Sequence, residues 1–445
     1  MTKIVFSFDT EDYVNEAGAE GIINVAEILE AEGCKGCFQI VALMAKALKE
    51  WGRDDIIERL KSRHEVDYHS YAHSMHPTIN EYTDLADFDT AIDEFFKQEK
   101  RGAEIVKEIF GVDGFASVTP PGSSTSYVAH YGYAEMGIPI YTMTPSTDKV
   151  KNRPTSACNI NCISYSQALD RFLMDADENA MRALLDDAAQ KEIFVFYHHP
   201  QMHLVDAFWD KLNFDGKNTP KKDWILSSAL SKEASERFCN NFRLLLRLIK
   251  SDGRFELTTF ADIAKTLSSE RKIYVKDVPI IAEKLNEAWF PITTPESLSL
   301  SDCLLAALDF LDGKNEHVCG KVYGFLSEPY AIKEPVFVTR GELSESAHCL
   351  DGIKFLPEFI LVGGKKLGPA DWLRAALAVL SGAESTIVTP MPWQIDLDEF
   401  PQLKKLSYKN VWIHSKEFLD NFLSDRFRLQ SWTLRLPKGS KRKIF

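Results

Sequence analysis

The chain has 445 residues, of which 45% are hydrophobic and 26% charged, and a formal net charge of −13. That length carries apolar material for more than one core. The acidic balance argues against a nucleic-acid partner, and no apolar run reaches the length that spans a bilayer.

From the amino terminus, Ile4-Val5-Phe6-Ser7-Phe8 reads as a buried strand that runs straight into Asp9, Glu11 and Asp12. Apolar spacing then predicts a helix at about 20–33, a strand at 36–41, helices from 42 to 63, a strand at 65–68 and a long helix at 87–109. Such alternation predicts βα units around a parallel sheet or barrel, with the carboxylates on the rim at the strand's carboxyl end. His69 and His73 follow the 65–68 strand, four positions apart, a spacing that on a helical turn turns two imidazoles toward one cation. Farther on, Phe194-Val195-Phe196-Tyr197 is a second apolar strand. It ends in His198-His199-Pro200, where proline stops the ladder. Taken together, the acidic strand end, the His pair and the later histidines supply a general base, metal ligands and a general acid. A polar insertion at 203–228, rich in Lys, Asp and Trp, is expected to form a loop beside them.

In order and wording these segments resemble the polysaccharide deacetylase family, the NodB homology domain or carbohydrate esterase family 4. The likeness rests on Phe8-Asp9-Thr10-Glu11-Asp12, the run from His64 to His73, Thr119-Pro120-Pro121-Gly122 and Tyr197-His198-His199-Pro200. Gly36-Cys37-Phe38-Gln39-Ile40-Val41 and residues 255–264 also fit, so the resemblance covers about residues 1–268. It implies an α/β fold, a distorted (β/α) barrel, that removes acetyl groups from an N-acetylated carbohydrate. Asp9 is then the base and His199 the acid. Glu11, His69 and His73 hold a divalent ion, with zinc expected, whose water attacks the amide. Pro120, Pro121, Gly122 and Tyr197 contact substrate; a backbone N–H of the Pro121-Gly122 turn holds the oxyanion, and Tyr197 or Asp12 orients the acid. Asp12 and His198 are the alternates to Glu11 and His199.

The sequence departs from the family's pattern in three places. Thr10 stands where the metal-binding acid commonly follows the base. Val118 stands where an Arg usually pairs with the base, with Arg153 and Lys149 as candidates to replace it. The aspartate that sets the acid His has no clear match, Asp148 and Asp175 being nearest. Two alternatives follow: a hydrolase of a non-sugar amide or cyclic ureide, and a catalytically silent glycan-binding protein.

Residues 269–290 read as a linker and 291–445 as a smaller, mostly helical accessory domain with an internal repeat. The segment from Ser301 to Gly313 aligns with that from Ala370 to Gly382 (371 − 302 = 69), each starting at an Asp suited to capping and ending at Gly. Pro335-Val336-Phe337-Val338 aligns with Asn410-Val411-Trp412-Ile413, and helices are expected at 341–351 and 415–424. Residues 356–367 are weakly similar to pseudomurein-binding repeats, so the domain reads as glycan-binding, with Trp372, Trp393, Trp412 and Trp432 as stacking surfaces, or as a surface for homo-oligomers. The pairs Cys34/Cys37 and Cys158/Cys162 have unequal spacing and read as free thiols. With no leader before the first strand, the expectation is a cytoplasmic protein. Lys438 and Lys441-Arg442-Lys443 read as a solvated basic tail.

Overall fold

Strand Thr2–Thr10 pairs on both edges, which is why Ile4, Val5, Phe6 and Phe8 are all at most 1% exposed. Its residues Lys3 to Phe8 run parallel to Ile193–His198, Ser7 to Thr10 to the strand Cys37–Val41, and Thr2 to Ile4 to Phe255–Leu257. Outward from Cys37–Val41 the sheet continues through Glu65–Ser70, Ser117–Val118, Ile140–Tyr141 and Ile160–Cys162, and outward from Ile193–His198 to Gln167–Ala168, every pairing parallel. The sheet curls, and residues 163–166 link its ends: Ile163 N donates to Tyr141 O at 3.0 Å and Ser166 N to Val195 O at 2.9 Å. This is the expected distorted barrel.

The computed structural model describes residues 1–123, 126–143, 151–267, 270–350, 352–398, 400 and 414–440. Two compact units emerge. The first comprises Met1–Arg153, Ile160–Leu267 and Ser407–Leu423; the second comprises Pro154–Asn159, Ser268–Leu406 and Ser424–Phe445. A short segment of the amino-terminal half thus belongs to the second unit, and a late segment belongs to the barrel.

The barrel's helices begin and stop for local reasons. Helix Ala17–Ala31 covers the 20–33 prediction. The 42–63 stretch is two helices, Ala42–Glu50 and Asp54–Arg63, separated at Gly52, whose φ of 68° no helix tolerates. Phe88–Phe110 starts where the Asp87 side chain accepts from Thr90 N and ends at left-handed Gly111. No described helix is long and apolar enough to cross a membrane.

In the second unit the repeat is a strand–helix–helix–strand module present twice. Arg271–Tyr274 pairs antiparallel with Glu316–Cys319, enclosing Val278–Glu287 and Leu300–Leu311. Val336–Thr339 pairs likewise with Ser385–Val388, enclosing Arg340–Ala347 and Pro369–Leu380. Asp302 and Asp371 sit three residues after the caps, and Asp302 Oδ2 accepts from Ser299 N while Asp371 Oδ2 accepts from Gly368 N. Left-handed Gly313 and Gly382 follow the two helices. The counterpart of Val336–Thr339 is therefore Arg271–Tyr274; residues 410–413, matched to it on sequence, lie outside the described residues, as do Trp412, Asp148, Lys149 and the end of the basic tail. The helix expected at 415–424 occupies Leu423–Leu429 instead. Trp372, Trp393 and Trp432 are core, not stacking surfaces: Trp372 donates to Ser346 Oγ at 2.8 Å and Trp432 to Trp393 O at 3.1 Å.

Candidate active site

His69 owes its position to an irregularity in pairing. The register steps from Ile40 opposite Tyr68 to Val41 opposite Ser70, so His69 is the extra residue of a bulge, a device that re-aims a side chain. His73 lies beyond it in a turn, with φ of 53°, a conformation that costs a non-glycine residue about 1–3 kcal/mol. Its N–H is held by Ser70 Oγ at 2.9 Å. The helical turn expected from the four-residue spacing is thus absent, and the imidazoles converge by bulge and turn. Buried Glu99 anchors this strand end, accepting from Tyr68, Tyr82 and Tyr133 hydroxyls at 2.8, 2.9 and 3.0 Å.

Both rings present Nε2 to one oxygen. His69 Nε2 is 3.2 Å and His73 Nε2 2.9 Å from Glu11 Oε2. Their Nδ1 atoms are already committed: His69 donates to Thr119 O at 2.7 Å, and His73 to Ser74 Oγ at 2.6 Å, whose own proton goes to Asp210 Oδ2 at 2.7 Å. The other Glu11 oxygen accepts from Trp209 Nε1 at 3.3 Å and Gln201 Nε2 at 3.5 Å. Three buried ligand atoms within 4.8 Å of one another, with the far side of each ring hydrogen-bonded, are the donor set that a divalent cation takes. Burial works against ionised Glu11, yet His73 and His69 outweigh it and hold this carboxyl well below its usual range.

Beside the triad, Asp9 accepts from the Tyr165 hydroxyl at 2.6 Å. That hydroxyl also meets Ser7 Oγ at 2.9 Å and Thr119 Oγ1 at 2.7 Å. Tyr165 therefore pairs with Asp9 in place of the candidate Arg153, and Lys149, the other candidate, lies outside the described residues. Arg153 itself faces Glu192 at 3.4 Å. Burial pushes the Asp9 carboxyl up, against the pull of His69, His199 and the Tyr165 bond.

His199 points its Nε2 toward Asp9, 3.7 Å away, and donates from Nδ1 to Asp170 Oδ2 at 2.9 Å. Asp170 orients this ring, in place of the expected Asp175, Tyr197 or Asp12; Asp148, the other candidate, lies outside the described residues. Burial alone would lower the His199 pKa, but Asp170, Glu11 and Asp9 outweigh it, and the imidazole is pushed up to about 10. His198, the alternate, is fully buried and stacked on Phe238 at 4.4 Å, out of reach of substrate. Asp12, the other alternate, accepts from Val14 N and Asn15 N and stands outside the ligand group; burial pushes its carboxyl up to about 7.

The groups open into a cavity of about 610 Å³. Asp9, Glu11, His69, His73, His199, Pro120, Gly122 and Tyr197 line it, and Pro121 does not. No sequence pattern marks Tyr165, Asp170, Ser74, Trp209 or Asp210; Trp209 and Asp210 lie in the 203–228 insertion, where they form the short helix Trp209–Asn213.

Among solved structures, the chain is similar to a Mycobacterium smegmatis protein assigned as a polysaccharide deacetylase, at 15% identity and a TM-score of 0.40 over 60% of this chain and 90% of that one. It is also similar to a family 4 carbohydrate esterase from Bacillus anthracis (14%, 0.32, 60% and 83%) and to PuuE allantoinase (12%, 0.41, 59% and 89%). No protein-family model and no curated protein matches the sequence.

Proposed function

We propose that the barrel hydrolyses the amide of an N-acetylated sugar or oligosaccharide. The observation that carries this reading is the convergence of His69, His73 and Glu11 beside an Asp9–His199 pair in one cavity. Glu11, His69 and His73 would hold a divalent ion, with zinc suited to this N/O set, and such an ion supplies Lewis acidity for carbonyl and water alike. Asp9, steered by Tyr165, takes the proton from the attacking water. His199, cationic at neutral pH because of Asp170, gives a proton to the departing nitrogen, which leaves poorly without one. Half-buried Tyr197 and Phe208 offer faces for a sugar ring. Ser164, Ser166 and Gln167 line the same mouth as partners for hydroxyls, and among the described lining residues none is Lys or Arg, which favours an uncharged substrate.

The test is acetate release from a panel of N-acetylhexosamine oligomers by zinc-loaded protein, with cyclic ureides run in parallel. Acetate from at least one oligomer is expected. Ureide turnover without acetate from any sugar overturns the proposal.

A further inference from the structure

Behind His199 the structure holds a chain of hydrogen bonds, buried up to its half-buried end at Asn24, that the chemistry above leaves unused. Asp170 Oδ1, which accepts from His199 N at 2.9 Å, also stands 2.7 Å from His198 Nδ1. His198 Nε2 is 3.2 Å from His203 Nδ1, and His203 Nε2 is 3.3 Å from Asn24 Nδ2. Each link forces the next. An ionised carboxylate only accepts, so His198 Nδ1 carries a proton. Burial keeps His198 neutral, so its Nε2 is bare and must accept, which places the His203 proton on Nδ1. Burial and the neighbouring His198 keep His203 neutral as well, so its Nε2 accepts from the Asn24 amide.

We propose that Asn24 and His203 are positioning residues for His199, acting through a one-way hydrogen-bond chain that fixes His198 as the Nδ1–H tautomer and thereby pins Asp170 against the His199 ring. The packing serves this arrangement. A Cβ at Gly21 would lie 2.2 Å from Pro200 O, so only glycine lets helix Ala17–Ala31 press onto Pro200–His203, and Asn24 sits three residues along the same face. Phe238 stacks on both rings, at 4.4 Å from His198 and 4.7 Å from His203, and Phe8 meets His198 edge-on. The ionisable groups around the chain are Asp170 and His199, with Asp9 and Glu11 beyond them. Were His198 to carry its proton on Nε2, two lone pairs would meet across 2.7 Å and Asp170 would swing off His199.

Asn24 does not line the cavity, and Asn24→Asp reverses the chain by putting an acceptor where the donor stood. The tautomers are read by long-range ¹H–¹⁵N correlations on histidine-labelled full-length protein near neutral pH, without substrate. Nδ1–H is expected for His198 and His203 in the native protein, and Nε2–H for His203 in Asn24→Asp. The functional arm rests on the deacetylase reading: Asn24→Asp lowers kcat about tenfold at constant KM, a part of what a general acid contributes, and Asn24→Ala lowers it less. Native Nε2–H on either ring overturns the proposal, as do unchanged tautomers in Asn24→Asp. If Asn24→Asp does not fold, Asn24→Ala decides: a His203 that still shows a single Nδ1–H tautomer, with unchanged kcat, overturns the proposal. A chain with the expected tautomers but no acetate release would count against the substrate and leave the relay standing.

Discussion

The Tyr165 hydroxyl lies 2.6 Å from Asp9 Oδ1, a neutral donor on a carboxylate for which the family resemblance implies a cation. The two differ in what they do to basicity. A guanidinium beside a carboxylate pulls its pKa down by long-range charge as well as by hydrogen bonding, whereas a phenol contributes the bond alone. Asp9, buried and raised, is then a stronger base than an arginine-paired aspartate.

Tyr165→Phe removes that bond and the links to Ser7 and Thr119. The carboxyl of Asp9 rises further, and a base must be ionised to act, so the acidic limb of the kcat/KM profile moves to higher pH. The expected loss in kcat is roughly 10–100-fold, within what a general base contributes. A profile that does not move would remove Tyr165 from this role.

Asp170→Asn keeps an acceptor for His199 but deletes the charge. With its main support gone, the imidazole falls from about 10 toward its ordinary value, because only Glu11 and Asp9 are left to offset burial. Since the acid must be protonated, activity that persists into alkaline solution in the native protein is lost near neutrality in the variant. The measurement is the alkaline limb of kcat against pH.

How far these residues could be read in advance follows from where they sit. Asp9, Glu11, His69 and His199 all stand at the carboxyl ends of strands, and an apolar run that stops in polar residues is visible in one dimension. Tyr165 and Asp170 are not, because residues 163–170 have no periodic pattern and acquire meaning only when the sheet curls and this stretch crosses between its ends. The spacing of His69 and His73 suggested a helix because the bulge that replaces it depends on pairing with Cys37–Val41. Trp372, Trp393 and Trp432 suggested sugar contact by type alone, and burial decides otherwise.

The ligand set makes a prediction of its own. Protein dialysed against zinc should retain about one equivalent, and His69→Ala should retain none by elemental analysis. Ser74→Ala breaks the path from His73 Nδ1 to Asp210 and should weaken zinc binding by about 10–100-fold, the usual effect of losing a ligand's outer partner. Chelation should also lower the thermal midpoint, since an ion that binds only the folded state stabilises it. Equal zinc content in His69→Ala and the native protein would end the metal assignment.

In the second unit, stability depends on a charge pair. Asp302 is fully buried and accepts two 2.7 Å hydrogen bonds from Arg435, which also donates to Gly320 O at 3.0 Å. Burial would raise the Asp302 carboxyl, but Arg435 and Ser299 outweigh it and hold it below its usual range. Removing one partner strands the other, so Arg435→Ala should cost about 3–5 kcal/mol in urea unfolding of the full chain, and the double variant Asp302→Asn/Arg435→Met should recover most of it. The sign with pH follows from the depressed carboxyl: its contribution is complete above the unfolded carboxylate pKa and is lost as pH falls through the folded one. Stranded Asp302 in Arg435→Ala instead takes up a proton readily, so the gap between variant and native protein should narrow between about pH 7 and pH 4. A gap that does not change with pH would mean that Arg435 acts through packing and its bond to Gly320.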